Sequence, residues 1–155
     1  MSAVSYSVTA ARLDDVQEIA PQLRQVDIDE IAATSGNSPL ASLTHGLNIS
    51  DHCKIARADG KPLCMFGIGR PTFMSDEGVI WLLGTDLLVD HSIRFLRQCA
   101  EEVDIIAKDY RVIYNHCDAR NTVTLKWLKW LGFTIENAVP YGIYGLAFHP
   151  FWRVM

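Results

Sequence analysis

The stretch Gly78-Val-Ile-Trp-Leu-Leu-Gly-Thr85 is a continuous apolar run bounded by turn-forming residues. Such a run predicts a strand that neighbouring elements cover on both faces. It is followed by Ser92 to Tyr110, where apolar residues recur every three or four positions as on one helix face, and by Arg111 to Cys117, a second strand. Two neighbouring strands joined through a helix run parallel. The run at 78–85 is therefore predicted to be a central strand of a mixed sheet.

The segments before this run predict antiparallel strands. Tyr6-Ser-Val-Thr-Ala10 alternates apolar and polar residues, as a half-buried strand does. Two further strand-like segments, Cys53 to Ala58 and Pro62 to Gly69, flank Asp59-Gly60, a dipeptide typical of tight hairpin turns. We expect a hairpin that leads directly into the central strand.

Helical spacing fills the interval between the first strand and the hairpin. Apolar residues from Leu13 onward fall on one face, and Pro21 must kink or divide the helix there. The pattern resumes and ends at Ser35-Gly36-Asn37, which suits a left-handed cap. A short second helix is predicted from Pro39 to Gly46.

After the second parallel strand the chain reads as a helix from Asn121 to Leu131, a cap at Gly132 and a strand from Phe133 to Glu136. The tail, Val139 to Met155, is rich in glycine, proline and aromatic residues, and is expected to end in one more strand or an irregular cover near Ala147 to Val154. The predicted order is β-α-α-β-β-β-α-β-α-β. It implies an α/β fold with a mixed, mostly antiparallel central sheet and helices on both faces.

The 155 residues predict one domain, residues 1–155, because this length is close to that of a typical single domain. With 49% hydrophobic and 21% charged residues, the chain is expected to fold rather than remain disordered. A net charge of -4 disfavours binding to nucleic acid or an anionic membrane. No export signal or membrane-spanning segment is visible, since the longest apolar run, Val79 to Leu83, is far too short.

The cysteines predict free thiols rather than a disulfide or metal framework. They stand at positions 53, 64, 99 and 117 without a Cys-x-x-Cys pair. His52-Cys53 and His116-Cys117-Asp118 invite a zinc interpretation, but adjacent strand residues point to opposite faces and the ligand spacing of a structural site is absent. The same alternation argues against Cys117 as a nucleophile paired with His116. We expect core cysteines and no metal.

The element order, and the segment Asn121-Thr-Val-Thr-Leu-Lys-Trp-Leu-Lys-Trp-Leu-Gly-Phe133, resemble the GNAT acyltransferase superfamily and its last helix. This resemblance implies acyl transfer from acetyl-CoA held on the fourth strand and the following helix. The residues that it places at the cofactor are Leu83, Gly84, His91, Ser92, Arg94 and Asn121.

Two features expected of active GNAT enzymes differ in this sequence. The phosphate-binding loop of the family is glycine-rich, because backbone amides must approach the pyrophosphate closely. The corresponding stretch here is Val89-Asp-His-Ser-Ile-Arg94. The tyrosine that many members use to protonate the leaving thiolate falls on Leu128, and the usual base on the fourth strand falls near Trp81 or Leu83.

A catalytic carboxylate must therefore come from elsewhere. Asp27, Asp29 and Glu30 form an acidic group on the first helical region, which lines the acceptor side of the cleft in GNAT folds. Either these residues form a solvated helix face, or Glu30 acts as a general base or binds an amine. Glu30 and Asn121 are the predicted catalytic residues. Asn115 and Asn121 are also expected to be turn and cap residues that hold the splayed edge of the cleft.

Across most of its length the chain also resembles small GNAT-like proteins of short-tailed bacteriophages, related to the internal virion or morphogenesis protein A family. Stretches that carry this resemblance include 29–36, 62–67, 81–85, 118–121 and 127–133. The resemblance implies a protein partner in the virion or the host, and a location in the host cytoplasm or the virion. Whether the protein forms a homo-oligomer is left open.

The aromatic residues near the C-terminus offer a surface for such a partner. Trp127 belongs to the predicted buried stripe of its helix, whereas Trp130 lies off that stripe. If Trp130, Phe151 and Trp152 form an exposed patch, that patch is a partner surface. The other interpretation is that the C-terminal segment covers them.

Three functional hypotheses follow. The first is a phage accessory protein with a GNAT-like fold and a degraded acetyl-CoA motif, acting through protein contacts in virion morphogenesis or on a host target. The second is an active acyl-CoA-dependent N-acetyltransferase. The third is a binding module for a small ligand in a vestigial cleft.

Overall fold

The fold is an eight-stranded mixed sheet between two layers of helices, as a computed structural model that describes residues 3–155 shows. The strands are β1 (Tyr6–Ala10), β2 (His52–Ala58), β3 (Lys61–Gly69), β4 (Glu77–Gly84), β5 (Val112–Asp118), β6 (Thr134–Ile135), β7 (Val139–Tyr141) and β8 (Leu146–Val154). The helices are α1 (Leu13–Ile19), α2 (Gln25–Thr34), α3 (Pro39–Ile49), α4 (Asp86–Asp90), α5 (Ser92–Ala107) and α6 (Thr122–Trp130).

The strand order is β1-β2-β3-β4-β5-β8-β6, with β7 paired to β8. Strands β1 to β4 are antiparallel neighbours, and β4 and β5 run parallel through the crossover that contains α5. Strand β8 then pairs antiparallel with β5. The predicted mixed, mostly antiparallel sheet with β4 at its centre is confirmed.

Each face of the sheet has its own core. On one face, α1 to α3 pack with Ile55 and Met65, and the fully buried Val16, Ile19 and Leu43 belong to this cluster. On the other face, α5 and α6 cover Phe66, Ile68 and Ile113 together with their own apolar stripes. The arrangement confirms helices on both faces, because β4 supplies alternate residues to the two cores.

The predicted helix break, hairpin turn and helix cap all form at the residues that the sequence indicates. Pro21 lies in a short 3-10 helix, Ala20–Gln22, that divides α1 from α2. Asp59 and Gly60 both adopt positive φ, 49° and 80°, as the tight β2–β3 turn requires. Ser38 caps α3 by accepting a hydrogen bond from the backbone N–H of Ala41 at 3.2 Å. These features set the strand registers and helix starts that the site depends on.

Several elements differ from the sequence prediction, among them α3, which ends at Ile49 and not at the predicted Gly46. Helix α4 was not anticipated, because five residues are too few to show a helical period. Helix α5 ends at Ala107, before the predicted Tyr110. The tail forms two strands: β8 is the strand predicted near Ala147 to Val154 and pairs with β5 over seven residues, whereas β7 was not anticipated.

The turn between β7 and β8 reaches across the sheet to the end of α2. Ile143 donates its backbone N–H to the carbonyl oxygen of Ala33 at 3.1 Å. Gly142 lies so close that a Cβ on it would stand 2.1 Å from the same oxygen. A glycine with φ of 78° is required there, and the adjacent residues Thr34 and Tyr141 line the cavity described next.

Candidate active-site cleft

The cleft forms where β4 and β5 part. Their pairing ends at Val79 and Tyr114, and beyond it Asn115 Nδ2 donates to the carbonyl oxygen of Ile80 at 2.7 Å. This side chain takes the place of the next backbone bond and leaves the strands splayed. A cavity of about 310 Å³ occupies the gap. The expected role of Asn115 at the splayed edge is supported, although Asn115 lies within β5 and not in a turn.

The second half of β4 lines this cavity, although the apolar run at 78–85 was predicted to be covered on both faces. Trp81, Leu82 and Leu83 are only half-buried and all line the cleft. Trp81 and Leu83 pack with the core under α1 to α3, whereas Leu82 packs with the core under α5 and α6. The prediction of a strand covered on both faces is therefore wrong for this half of β4, because β5 has moved away from it.

Glu30 reaches the cleft from α2 and binds the carboxyl end of β5. Its Oε1 accepts the backbone N–H of Asp118 at 2.7 Å, and its Oε2 accepts from Asn121 Nδ2 at 3.3 Å. Burial raises the pKa of Glu30 to about 7, and the negative charges of Asp27 and Asp118 act in the same direction against these hydrogen bonds. At neutral pH the group is therefore poised between its acid and base forms.

Asn121 supports Glu30 from the start of α6. The side chain is only 2% exposed, and its Oδ1 accepts the backbone N–H of Thr124 at 3.4 Å as the helix N-cap. Its role as a cap residue is confirmed. Because Nδ2 points to Glu30, one amide connects the helix start to the carboxylate.

A buried ion pair fixes the end of β4 beside this carboxylate. Asp27 accepts from Arg24 at 2.9 and 3.0 Å, and both side chains are almost fully buried. Asp27 also accepts the N–H of Gly84 at 2.9 Å, while the carbonyl of Gly84 accepts the N–H of Arg24 at 2.8 Å. The solvated-face interpretation is thus wrong for Asp27. Half-buried Asp29, which accepts from Gln25, does not share these contacts.

The predicted cofactor residues fall into two groups. Leu83 lines the cavity, whereas Asn121 is next to it only through its bond to Glu30, and both backbone groups of Gly84 are engaged by Asp27 and Arg24. The other three, His91, Ser92 and Arg94, lie at the N-terminus of α5. In the structure these two groups of residues do not contact each other.

The second group is tied to β1. His91 Nδ1 lies 2.6 Å from the hydroxyl oxygen of Tyr6, and the guanidinium of Arg94 stacks 5.2 Å from the centre of the Tyr6 ring. Helix α4 leads almost directly into α5 without a glycine, and exposed Asp90 precedes the first turn. This end of the cleft offers a helix N-terminus to an anion but places a carboxylate beside it.

The side of the cavity near α3 and β7 contains residues that sequence reasoning did not select. The His116 ring stacks on Tyr141 with centroids 3.9 Å apart and planes 5° from parallel. Both rings line the cavity, as does His45 of α3. Burial lowers the pKa of His116, so its imidazole is favoured in the neutral form. Only the alternation along β5, which turns His116 away from the core, could have indicated this role.

Cys117 lies in the core opposite His116, and burial raises its thiol pKa. The expected separation of the two side chains is confirmed. All four cysteines are free thiols. Within residues 3–155, no group of three or more His, Cys, Asp or Glu side chains is placed to hold a metal ion. Over the same residues, every helix is too short or too polar to span a bilayer.

The predicted aromatic patch is formed only in part. Trp130 is 57% exposed and Trp152 is 38% exposed, and Trp152 Nε1 donates to Glu136 at 2.8 Å. Phe151 is buried instead, because its ring packs edge-on against Phe133. The assignment of Phe151 to an exposed surface is therefore wrong.

The sheet order, the splayed β4 and β5, and the helices on both faces define the GNAT acetyltransferase fold, and solved structures agree. The chain superposes on an aminoglycoside N(6')-acetyltransferase from Legionella pneumophila with a TM-score of 0.73 at 13% identity, covering 99% of this chain and 94% of that one. For a GCN5-related N-acetyltransferase from Kribbella flavida the TM-score is 0.70 at 18% identity, with coverages of 97% and 98%.

A third structure, yncA, a putative acetyltransferase from Salmonella typhimurium with its cofactor acetyl-CoA, gives a TM-score of 0.68 at 12% identity, covering 96% of this chain and 93% of that one. No protein-family model matches the chain, and no curated protein matches it by sequence. The shared feature is the GNAT fold.

Proposed function

We propose that the protein is an acyl-CoA-dependent N-acyltransferase that uses Glu30 as its general base. The observation that carries the proposal is the Glu30 carboxylate, which lines the cavity between β4 and β5 and has a pKa of about 7. General bases are most effective when their pKa lies near the working pH. Acyl transfer in the solved structures that share this fold adds support.

The chain supplies the proton acceptor and the walls for this reaction. When bound, acyl-CoA supplies a thioester carbonyl as the group to be transferred. Glu30 takes a proton from the acceptor ammonium group, and the freed nitrogen lone pair attacks the carbonyl carbon. As the C–N bond formed and the C–S bond broke, the nitrogen would lose its second proton to solvent and the sulfur would leave with the electron pair as a thiolate.

No proton donor stands at the position where many members of the superfamily have tyrosine. Leu128 occupies it and lines the cavity. A thiol has a pKa of about 8.5, so the sulfur can depart without a donor at a modest cost in rate. We expect positioning in the cleft and the action of Glu30 to carry the reaction.

The residues of the cleft fit the thioester end of acyl-CoA better than the residues at the N-terminus of α5 fit its nucleotide end. The cleft accepts a thioester arm beside Leu82 and Leu83, which are open to the gap between the strands. At the nucleotide end, Ser92 and the N-terminus of α5 would face the pyrophosphate, and Asp90 opposes it. We therefore expect weaker retention of CoA than a glycine-rich loop provides.

Thermal unfolding with acetyl-CoA, free CoA and desulfo-CoA tests binding. A ligand at about 100 times its Kd adds about 2.7 kcal/mol to the free energy of unfolding, or roughly 5–10 °C in Tm. No rise with any of the three would contradict acyl-CoA binding.

Turnover with Glu30→Gln tests the base. Release of CoA in the presence of a panel of primary amines should fall about 10²- to 10⁴-fold. The matched control is Asp29→Asn, the same chemical change on the neighbouring residue outside the cleft, which should leave the rate within about twofold. The wild-type rate should rise through a pH of about 7, and this rise should be lost in Glu30→Gln. An unchanged rate in Glu30→Gln would reject the assignment.

A second proposal is an accessory role in phage morphogenesis or on a host target through protein contacts. It is favoured by the exposed Trp130 and by the α4–α5 junction, which lacks glycine. Its location would be the host cytoplasm or the virion, and its partner a virion protein, a host protein or a second copy. Co-sedimentation with prohead fractions that Trp130→Ser abolishes would support it, whereas retention in the soluble fraction would count against it.

A further inference from the structure

The two ends of the sheet differ in how they are protected from pairing with another chain. At one end lie β6, with two residues, and β7, with three residues that include Pro140. Short strands and proline keep an edge from pairing with a further strand. At the other end, β1 has five residues, none of them charged or proline, and its pairing with β2 contains no bulge. The edge at β1 therefore lacks these protective features.

The backbone groups on the open side of β1 belong to Tyr6, Val8 and Ala10. The carbonyl of Ser5 and the N–H of Ala11 both bond toward β2. Successive residues of a strand direct their N–H and C=O groups to opposite sides, so the even-numbered residues between these two point away from β2. Among the described residues, no strand or side chain pairs with these outward groups.

A second β1 strand, antiparallel and centred on Val8, satisfies all of these groups. In that register Val8 lies opposite Val8 of the second copy, and Tyr6 lies opposite Ala10. Each residue of these pairs exchanges both backbone hydrogen bonds with its partner. The intervening Ser7 and Thr9 lie opposite each other, and hydroxyl pairs of this kind stabilise neighbouring strands. The strand is thus complementary to itself, and no like charges meet across the pair.

Helix α5 runs in the same direction as β1. Tyr6 stacks on Arg94 near the start of the helix. Lys54, which is the partner of Ala10 in the sheet, reaches Glu102 in the second half of the helix. A two-fold axis through the centre of β1 therefore sets the first half of α5 toward the second half of α5 in the other copy.

The exposed charges of α5 match this arrangement. Arg94 and Arg97 lie in the first half of the helix and Glu101 lies in the second, and in the part of the chain that the structure describes none of them belongs to an ion pair. The basic half thus faces the acidic half of the second copy. Five paired residues alone bury less area than a specific interface needs, so the helices must supply part of the contact. Exposed Ile105, one turn beyond Glu101, offers apolar area there.

We infer that the protein forms a two-fold dimer in which the β1 strands of two copies pair antiparallel about Val8 and join the two sheets into one. The inference does not depend on the proposed acyl transfer. Because Tyr6 also bonds to His91, the interface lies beside the start of α5.

Sedimentation velocity of the full chain over a range of concentrations tests the dimer. The expected result is a shift from the mass of one chain to the mass of two as the concentration rises. A single chain at the highest soluble concentration overturns the inference and leaves this edge to an extended segment of another protein. A larger species also overturns it, because pairing about a two-fold axis closes with two copies.

Two matched variants at exposed positions of β1 test the register. Ser7→Lys with Thr9→Lys places lysines opposite lysines of the second copy and should weaken the dimer about tenfold or more. Ser7→Lys with Thr9→Glu places opposite charges there and should dimerise at least as tightly as the wild type. Both side chains are exposed, and their backbone pairing with β2 is kept. Equal dimerisation of the two variants would contradict this register.

A charge exchange on α5 tests the flanking contact. Arg97→Glu sets like charges together and should weaken the dimer about three- to tenfold, whereas Arg97→Glu combined with Glu101→Arg should restore it. This pair of variants keeps the test decisive if a lysine variant of β1 fails to fold. No difference between the single and the combined variant would contradict the antiparallel placement of α5.

Trp130→Ser is the control at a remote exposed surface. Trp130 is on α6 and 57% exposed, so its replacement should leave the dimer unchanged. Loss of the dimer in this variant would place the interface at α6 and overturn the inference.

Discussion

The two ends of the cleft differ in burial and in hydrogen bonding. At the end near the carboxyl terminus of β5, Glu30, Asn121 and the Arg24–Asp27 pair form a buried network of direct hydrogen bonds. At the other end, the α4–α5 junction presents exposed side chains, and its contacts are with Tyr6. The network is rigid and specific, whereas the junction is an ordinary helix start.

Under the proposed acyl transfer, the difference bears on which end of the cleft governs each part of the reaction. A buried polar atom without a partner destabilises a protein, and Arg24 Nη1 in this network is buried without one. A protein keeps such a network where its geometry matters. An exposed helix N-terminus tolerates most substitutions. We therefore expect the acceptor and base end to limit which amine reacts, and the junction to limit how tightly the nucleotide is held.

The largest effect is expected from breaking the ion pair that anchors this network. Asp27→Ala leaves the buried guanidinium of Arg24 without its partner and removes the acceptor for Gly84 N–H. Loss of one partner of a buried pair costs about 3–5 kcal/mol. Urea unfolding should show this loss as a lower midpoint. Asp104→Asn, at the more exposed pair with Arg153, should change stability by at most about 1 kcal/mol.

Glu30→Gln should change the pH dependence of stability by about 1–3 kcal/mol. The pKa of Glu30 is raised in the folded state from 4.5 to about 7, so the fold favours the protonated form. Its contribution to stability is fully present below pH 4.5 and is lost as pH rises to about 7.

The measurement is the unfolding free energy of both proteins at about pH 4.5 and about pH 8. Glu30→Gln should lack part of the wild-type fall between these values. Parallel pH profiles for the two proteins would mean that the carboxylate has an ordinary pKa, and the contrast between the two ends of the cleft would weaken.

Two variants of Asn121 distinguish its role as a helix cap from its effect on the pKa of Glu30. Asn121→Ala removes the N-cap and should destabilise the protein by about 1 kcal/mol. It also removes a hydrogen bond that lowers the pKa of Glu30, so the pH midpoint of activity should rise. Asn121→Asp keeps the cap but adds a negative charge beside Glu30 to those of Asp27 and Asp118, so the midpoint should rise further with a smaller loss of helix capping. Identical pH profiles in all three proteins would confine Asn121 to capping.

The smallest effect is expected at the junction. Asp90→Asn removes a negative charge just before α5, where an anionic ligand would compete with it. Charges at helix ends contribute about 0.3–1 kcal/mol, so CoA affinity should improve about two- to fivefold. Calorimetric titration with CoA measures it, with Asp86→Asn at the start of α4 as the comparison. No gain in Asp90→Asn would show that the junction does not contact the nucleotide.

Much of the fold follows from short-range signals in the sequence. The apolar run at 78–85, the Asp59-Gly60 turn and the Ser38-Pro39 helix start each act through local conformational preference. Helix α4 and strand β7 were not predicted because they are too short to show a pattern: α4 has five residues, and β7 has three and forms by pairing with β8. Periodicity carries no information about either.

The site is less predictable because it depends on which face a residue presents. Glu30 was selected from an acidic group that equally suits a solvated helix face, and only the structure separates it from Asp29. Asp27 was expected on the same exposed group, but its partner Arg24 draws it into the interior. The His116–Tyr141 stack joins residues of β5 and β7 that no spacing rule connects.

The close approach of Gly142 to Ala33 has a consequence for how the chain acquires its shape during translation. Residues of α2 leave the ribosome long before the β7–β8 turn that docks on them. Until β8 is synthesised, β5 has one open edge, and unpaired strand edges are sites of self-association. The interval between synthesis of β5 and of β8 is thus when the nascent protein is most vulnerable to aggregation, and substitutions that slow β8 pairing should lower its yield in cells before they alter its final stability.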